Sequence, residues 1–253
     1  MLYRVIPCLL LSDRYLVKTV KFKNPKYIGD ALNTVKIFNE KEVDELIILD
    51  ITASKENKIP DFGFLKELAE ECFMPICYGG GIKTFHDMER IFSLGIEKIA
   101  LNSIALENID IIKKAAGVFG SQSIVVSVDV KKNILGQYEI YSSSGKKIKI
   151  KLADYIKSIE ENEAGEILLN SVDRDGTCRG YDKELIRSVA ESVNIPLIAC
   201  GGAGKLEDFK EAIFSGKASA AAAGSFFIFY GEHKAVLITY PGYNELVNLF
   251  QIT

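Results

Sequence analysis

Several carboxylates in this chain follow apolar runs. Asp50 closes "LIILD", Asp129 closes "VVSVD", and Asp173 and Asp175 sit in "NSVDRDGT". A carboxyl group at the end of a buried run loses hydration, its pKa rises, and it can act as an acid or a base. Asp129 fits this best, because the residues before it are apolar or small. Asp175 lies in "DRDGT", which also reads as a plain turn. Glycine gives a second pattern. Gly79, Gly80 and Gly81 follow one apolar run, and Asn102 and Ser103 end the next. Gly201, Gly202 and Gly204 follow another, and Gly224 and Ser225 end the last. Glycines let backbone N–H groups approach an anion, and a following helix N-terminus adds a positive dipole. Two such cradles suit an elongated ligand with a phosphate at each end. The competing reading is that these glycines only make tight turns. Lys18 has two readings as well, a phosphate ligand or plain surface.

Such residues need a frame that gathers the ends of many short runs. Runs near 4–11, 45–50, 74–78, 97–102, 123–130, 165–170, 196–200 and 218–223 read as buried strands. Segments near 30–41, 61–72, 84–94, 107–118, 151–161, 182–192 and 205–215 carry helical apolar faces. Eight alternations predict an α/β fold, a single (βα)8 TIM barrel over 1–253, with chemistry at the C-terminal ends of the strands. An open doubly wound sheet is the alternative. A further hairpin is expected where "YEIYSSSGKKIKI" alternates around a Ser-Gly turn, with "KKIKIK" as its solvated edge.

The chain also repeats. Residues 74–103 align with 195–225 at an offset of about 122, and Asp50 falls near Asp173 in the same alignment. This predicts a two-fold repeat of half-barrels. Within it Leu10 stands opposite Asp129, so strand one ends in an apolar residue where its counterpart carries an acid.

Arg4, Glu45, Lys98 and Glu166 sit at the starts of strands one, two, four and six. They predict a charged ring across the barrel floor, either a structural plug or a gate for a small molecule. Placement alone favours the plug. The net charge of −3 gives no nucleic-acid footprint. No apolar run reaches the roughly 20 residues of a membrane span, and no leader precedes the first strand, so a soluble cytoplasmic protein is expected. Cys8, Cys72, Cys77, Cys178 and Cys200 form no CxxC pair and read as free thiols. No metal constellation is visible and no cofactor is expected. His86 and His233 are the only histidines, and neither suggests a nucleophile–base pair, so the chain is not itself a glutaminase.

The motifs "DELIILDITAS", "CYGGGIKT", "FGSQSIVVSVDVKK", "AGEILLNSVDRDGT" and "GYDKELIRSVAESVNIPLIACGGAGKLEDF" resemble the cyclase subunit of imidazole glycerol phosphate synthase over residues 1–230. In that family a glutaminase docks on the barrel floor, and ammonia passes a charged gate and climbs the barrel to a ligand with two phosphates. The resemblance implies that Arg4, Glu45, Lys98 and Glu166 are the gate, which reverses the preference for a plug. It implies phosphate-site roles for Gly81, Asn102, Asp175, Gly176, Gly202 and Ser225, and a catalytic role for Asp129. The family's other catalytic aspartate stands in a "CLD" motif, which here reads "CLL" and ends in Leu10.

The segment "KTVKFKNPKYIGD" and the tail "HKAVLITYP" are similar to a divergent branch described as acetamidino modification proteins of bacterial surface polysaccharides. In that branch the barrel and a glutaminase feed ammonia to a separate sugar amidotransferase. From about residue 226 the tail is atypical, and its stretch "FFIFYGEHKAVLITYP" is not the family's usual final amphipathic helix. Three functions follow as alternatives: ammonia delivery for sugar amidination, an active histidine-pathway cyclase (a lyase), or a non-catalytic activator of a glutaminase. His233 in the tail is a candidate partner contact.

Overall fold

A computed structural model describes residues 3–143, 145, 148–231 and 233–251. Eight parallel strands close on themselves. They are β1 (Arg4–Ser12), β4 (Leu46–Asp50), β5 (Ile76–Gly79), β6 (Lys98–Leu101), β7 (Ile124–Lys132), β9 (Glu166–Ser171), β10 (Leu197–Cys200) and β11 (Ala220–Ala223). Each pairs with the next, and β11 returns to β1 with Val5 opposite Ala221. The expected (βα)8 barrel is therefore present, and the open sheet is excluded. Helices between the strands cover its outside.

Side chains alternate across each strand. Val5 and Leu9 face the helices, where they join Ile48, Tyr78 and Val126 in the outer core. Ile6 and Cys8 face inward, with Ile47, Cys77, Val125, Leu168 and Ile198. Small residues complete this inner core: Ala100, Ala220 and Ala222. The inner layer is apolar and buried.

Helix starts are fixed locally. Thr84 and Asp87 form a reciprocal capping box for the helix Phe85–Ser93. Asp182 accepts from Leu185 N at 3.2 Å and from the Tyr138 hydroxyl at 2.9 Å. That carboxylate ties the short strand β8 (Tyr138–Ile140) to the helix Lys183–Ala190.

Three features depart from the sequence reading. An antiparallel hairpin, β2 (Tyr15–Val20) and β3 (Lys23–Asp30), extends from the end of β1. The hairpin expected around a Ser-Gly turn is instead β7 and β8 around Asn133–Gly136, where Gly136 N donates to Asn133 O at 3.0 Å. Ser144, Lys146 and Lys147 lie outside the described residues, and 148–151 form no strand. The stretch 226–241 carries the two-residue strands β12 (Phe229–Tyr230) and β13 (Ala235–Val236), and a helix the sequence reading did not place, Tyr243–Phe250, follows it. Phe250 packs on Tyr3 with ring centroids 5.3 Å apart, in the outer core beside the start of β1. Among the described residues no helix is long and apolar enough to cross a membrane.

Candidate functional site

A cavity of about 340 Å³ opens at the C-terminal ends of the strands. Asp129, Asn102, Ser103, Asp50, Asp175, Gly176, Lys18, Gly202, Gly224 and Ser225 all line it, so most of the expected site residues converge. Two do not. Gly81 stays outside the cavity and faces the Ala53 methyl and the Lys58 carbonyl. Asp173 accepts from Lys132 N at 2.8 Å, away from the cavity. Its repeat partner also changes. Glu45 and Glu166 open equivalent strands, and counting from them sets Asp50 opposite Ser171.

Asp129 projects from β7 into the mouth. Its Oδ2 accepts from Asn102 Nδ2 at 3.1 Å, and the same amide also donates to Ser127 O at 2.9 Å. Burial pushes the carboxyl up to about 7, against the Asn102 hydrogen bond and with help from the negative charge of Asp175. A carboxyl poised there can take or give a proton near neutrality. Leu10 pairs with Leu49 across β1 and β4, and both line the cavity. The mouth therefore has one acidic wall and one apolar wall.

Asp50 is a helix cap. Its Oδ1 accepts from Thr52 N and Ala53 N, both at 2.9 Å, while burial raises its pKa. Asp175 clasps the β2–β3 hairpin. Its Oδ2 accepts from Thr19 Oγ1 at 3.0 Å and its carbonyl from Lys21 N at 3.0 Å. Gly176, at φ +67°, lets the Thr19 carbonyl pack closely against it. Phe22 of the hairpin turn meets Tyr141 edge-on at 5.8 Å. The hairpin is thus folded over the mouth.

That fold buries Lys18, which is not surface. Its Nζ donates to Cys8 O at 2.9 Å and lies against the Gly224 α-carbon. Among the described residues no carboxylate comes within salt-bridge distance of it.

On the floor the four charges do form a ring. Arg4 reaches Glu45 at 2.7 Å and Glu166 at 2.8 Å. Lys98 reaches the same two carboxylates at 3.1 and 3.2 Å. Between this ring and the mouth lies the apolar inner core. Cys8, Cys77 and Cys200 are buried there, and all five cysteines are free. His86 and His233 are exposed. Among the described residues no cluster of side chains could hold a metal ion.

The closed barrel thus carries a cavity at the C-terminal ends of its strands, an apolar interior and a ring of charge on its floor. The profile of the family described as "Histidine biosynthesis protein" matches residues 4–234, and the chain belongs to that family. Its similarity runs to one subunit type in particular. It is 52% identical over 244 residues (96% of this chain, 97% of the relative) to a Pseudomonas aeruginosa protein named "Putative imidazole glycerol phosphate synthase subunit hisF2". It is 48% identical over 249 residues (98% of each) to a Leptospira interrogans protein named "Putative imidazole glycerol phosphate synthase subunit HisF". It is 42% identical over 225 residues (88% and 89%) to the "Imidazole glycerol phosphate synthase subunit HisF" of Alkaliphilus metalliredigens.

Sequence reasoning passed over two contributors. One is the hairpin, whose Lys-rich sequence looks exposed. The other is Asn170, which lines the cavity from β9. Its signal is available in the sequence, since Asn170 ends the apolar run "EILL" much as Asp129 ends "VVSV".

Proposed function

We propose that this chain is the ammonia-conducting barrel subunit of a glutamine amidotransferase complex, docked by its floor on a glutaminase. The nitrogen it delivers goes to a separate sugar amidotransferase, for acetamidino modification of a surface-polysaccharide sugar. Leu10 carries this reading. It lies on the cavity wall beside Leu49, where the resemblance places the second acid of the ring closure. A leucine transfers no protons, and a general acid–base group is typically worth about 10²- to 10⁴-fold. Asp129, with its pKa near 7, is left without that partner. The floor ring and the apolar interior support passage of a small neutral molecule, which a purely structural activator does not need. Lys18 against Gly224 supports retention of an anionic ligand at the mouth. The acetamidino assignment rests on the resemblance of the hairpin and tail segments.

The test is turnover of the histidine-pathway ribonucleotide intermediate by the purified chain, with ammonium salt replacing the glutaminase and Leu10→Asp alongside. The expected result is an inactive native chain and a gain of at least about 100-fold in Leu10→Asp. Turnover by the native chain at an ordinary enzyme rate would instead make it a histidine-pathway cyclase.

A further inference from the structure

A second cavity, of about 150 Å³, lies between the barrel wall and the helix Phe62–Glu71. Leu11, Phe64, Leu65 and Tyr78 line it, and all four belong to the outer core. Asp50 is the one described residue that lines both this cavity and the mouth. Tyr78 leaves the outer face of β5 and is 1% exposed. Among the described residues its hydroxyl has no hydrogen-bond partner. Burial and the carboxylates of Asp50 and Asp61 hold that hydroxyl protonated, so it is a donor without an acceptor. Buried polar groups are ordinarily paired, and one that is not awaits a partner. Two ion pairs border the cavity, Arg14–Asp61 at 2.7 Å and Lys58–Asp13 at 3.0 Å. Asp13 and Arg14 make the two-residue turn from β1 to β2, with φ of +48° and +70°. Such positions favour glycine. Here both carry side chains that reach the border, and the Arg14 guanidinium also lies over the Phe64 ring at 5.3 Å.

We propose that this cavity is a binding site for a small neutral acyl amide, whose carbonyl oxygen accepts a hydrogen bond from the Tyr78 hydroxyl and whose acyl carbons pack on Phe64 and Leu65. The chemistry selects this class. The hydroxyl needs an acceptor, which a cation or a hydrocarbon lacks. The acceptor must be neutral, because Asp50 and Asp61 repel an anion on this side. Arg14 and Lys58 do not draw one in, since each already faces two carboxylates, Asp61 and Glu67 for Arg14, Asp13 and Glu56 for Lys58. The apolar wall of Leu11, Phe64 and Leu65 calls for an apolar group, which water does not have. An amide accepts at oxygen and donates at nitrogen, so it serves the hydroxyl and the carboxylate side with different atoms. The volume, about 150 Å³, takes a molecule of a few heavy atoms or the acyl end of a larger amide. The site does not depend on the ammonia-conducting reading.

The experiment is proton–nitrogen correlation NMR of the intact chain, titrated with acetamide or with sodium acetate at constant ionic strength. The backbone N–H groups of Phe64 and Leu65 report the cavity, and that of Asn102 reports the mouth. Acetamide is expected to shift Phe64 and Leu65 saturably. Acetate, of the same shape but charged, should bind at least about tenfold more weakly. Tyr78→Phe removes one oxygen atom and keeps the ring, and should weaken acetamide by about fivefold to tenfold, the worth of one hydrogen bond. A hydroxyl that only fills space would leave the acetamide affinity unchanged. The proposal is overturned if acetamide gives no saturable shift at Phe64 and Leu65, if acetate binds equally well, or if Tyr78→Phe binds like the native chain. Shifts at Asn102 alone would place acetamide in the mouth and overturn it too. The comparison of acetamide with acetate needs only the native chain, so it decides the matter even if Tyr78→Phe fails to fold.

Discussion

Lys98→Met puts the floor ring to the test. The ring holds two cations and two carboxylates, so its charges balance. Glu45 and Glu166 are buried, with side chains 4% and 12% exposed. Lys98 lies 3.1 Å from one and 3.2 Å from the other. Methionine keeps the length and packing of the stem but leaves two buried carboxylates sharing Arg4. Breaking a buried ion pair on one side costs about 3–5 kcal/mol. Arg4 still touches both carboxylates, at 2.7 and 2.8 Å, so the lower end applies, about 3 kcal/mol. For a chain of this length that lowers Tm by about 6–12 °C. The ring also predicts a recovery. Adding Glu45→Gln to Lys98→Met restores balance, leaving Arg4 paired with Glu166. The double variant should therefore be more stable than the sum of the single losses, by about 1–3 kcal/mol. Urea unfolding of the four species measures the coupling. A Lys98→Met variant within about 0.5 kcal/mol of native, or strictly additive losses, would refute the reasoning. The ring would then be a set of solvated charges, with nothing to hold closed.

Asp129→Asn should change the pH profile of stability. The native carboxyl titrates near 7, well above its unfolded value, so the native state binds the extra proton between about pH 4 and 7. Native stability should fall as pH rises through that window, by up to about 4 kcal/mol, less whatever hydration the cavity provides. The substituted amide cannot ionise, so the variant should lose that slope in urea titrations at pH 4 and pH 8; an unchanged slope would place the penalty elsewhere. Lys18→Met should abolish stabilisation by inorganic phosphate, read as a Tm rise in the native chain at matched ionic strength. A phosphate response that survives in Lys18→Met would assign the anion to the other side of the mouth.

The eight barrel strands are legible because each is buried on both faces, which leaves an unbroken apolar run such as "LIILD" or "IPLIAC". The hairpin is not. It buries the polar Lys18 and Thr19 beside Leu16 and Val17, and the partners that turn the polar pair inward, Cys8 O and Asp175, lie on other elements. The last helix is hidden for a related reason. The chain from Phe229 to Pro241 mixes aromatic, charged and β-branched residues without a period, and the helical stretch begins only at Tyr243. Within the site, residues at strand ends are legible because strand length sets their height in the barrel. The pairing of Asp129 with Asn170 is a matter of shear between β7 and β9, which no local pattern reports.

The two glycine clusters look alike in sequence and differ in what excludes a side chain. In the first, Gly80 adopts φ +126° and packs on the Asp50 backbone, and Gly81 adopts φ +69° beside Ala53. Turn geometry explains both, with no ligand. Gly202 is similar, at φ +121° against the Gly180 carbonyl. Gly224 is not. Its φ of −107° is open to any residue. A β-carbon there would collide with the Lys18 ammonium and lie 2.8 Å from Cys8 O. Gly224 is therefore required by the close approach of the Cys8 carbonyl, the same group that holds Lys18, and not by the turn. A buried ammonium with a single backbone acceptor is costly, and the Asp175 carboxylate, beyond salt-bridge distance, offsets part of that cost. An anion against Lys18 and the start of the segment at Ser225 is the compensation the mouth can accept. Phosphate is thus supported on one side of the barrel only, and the glycines after β5 add nothing to it.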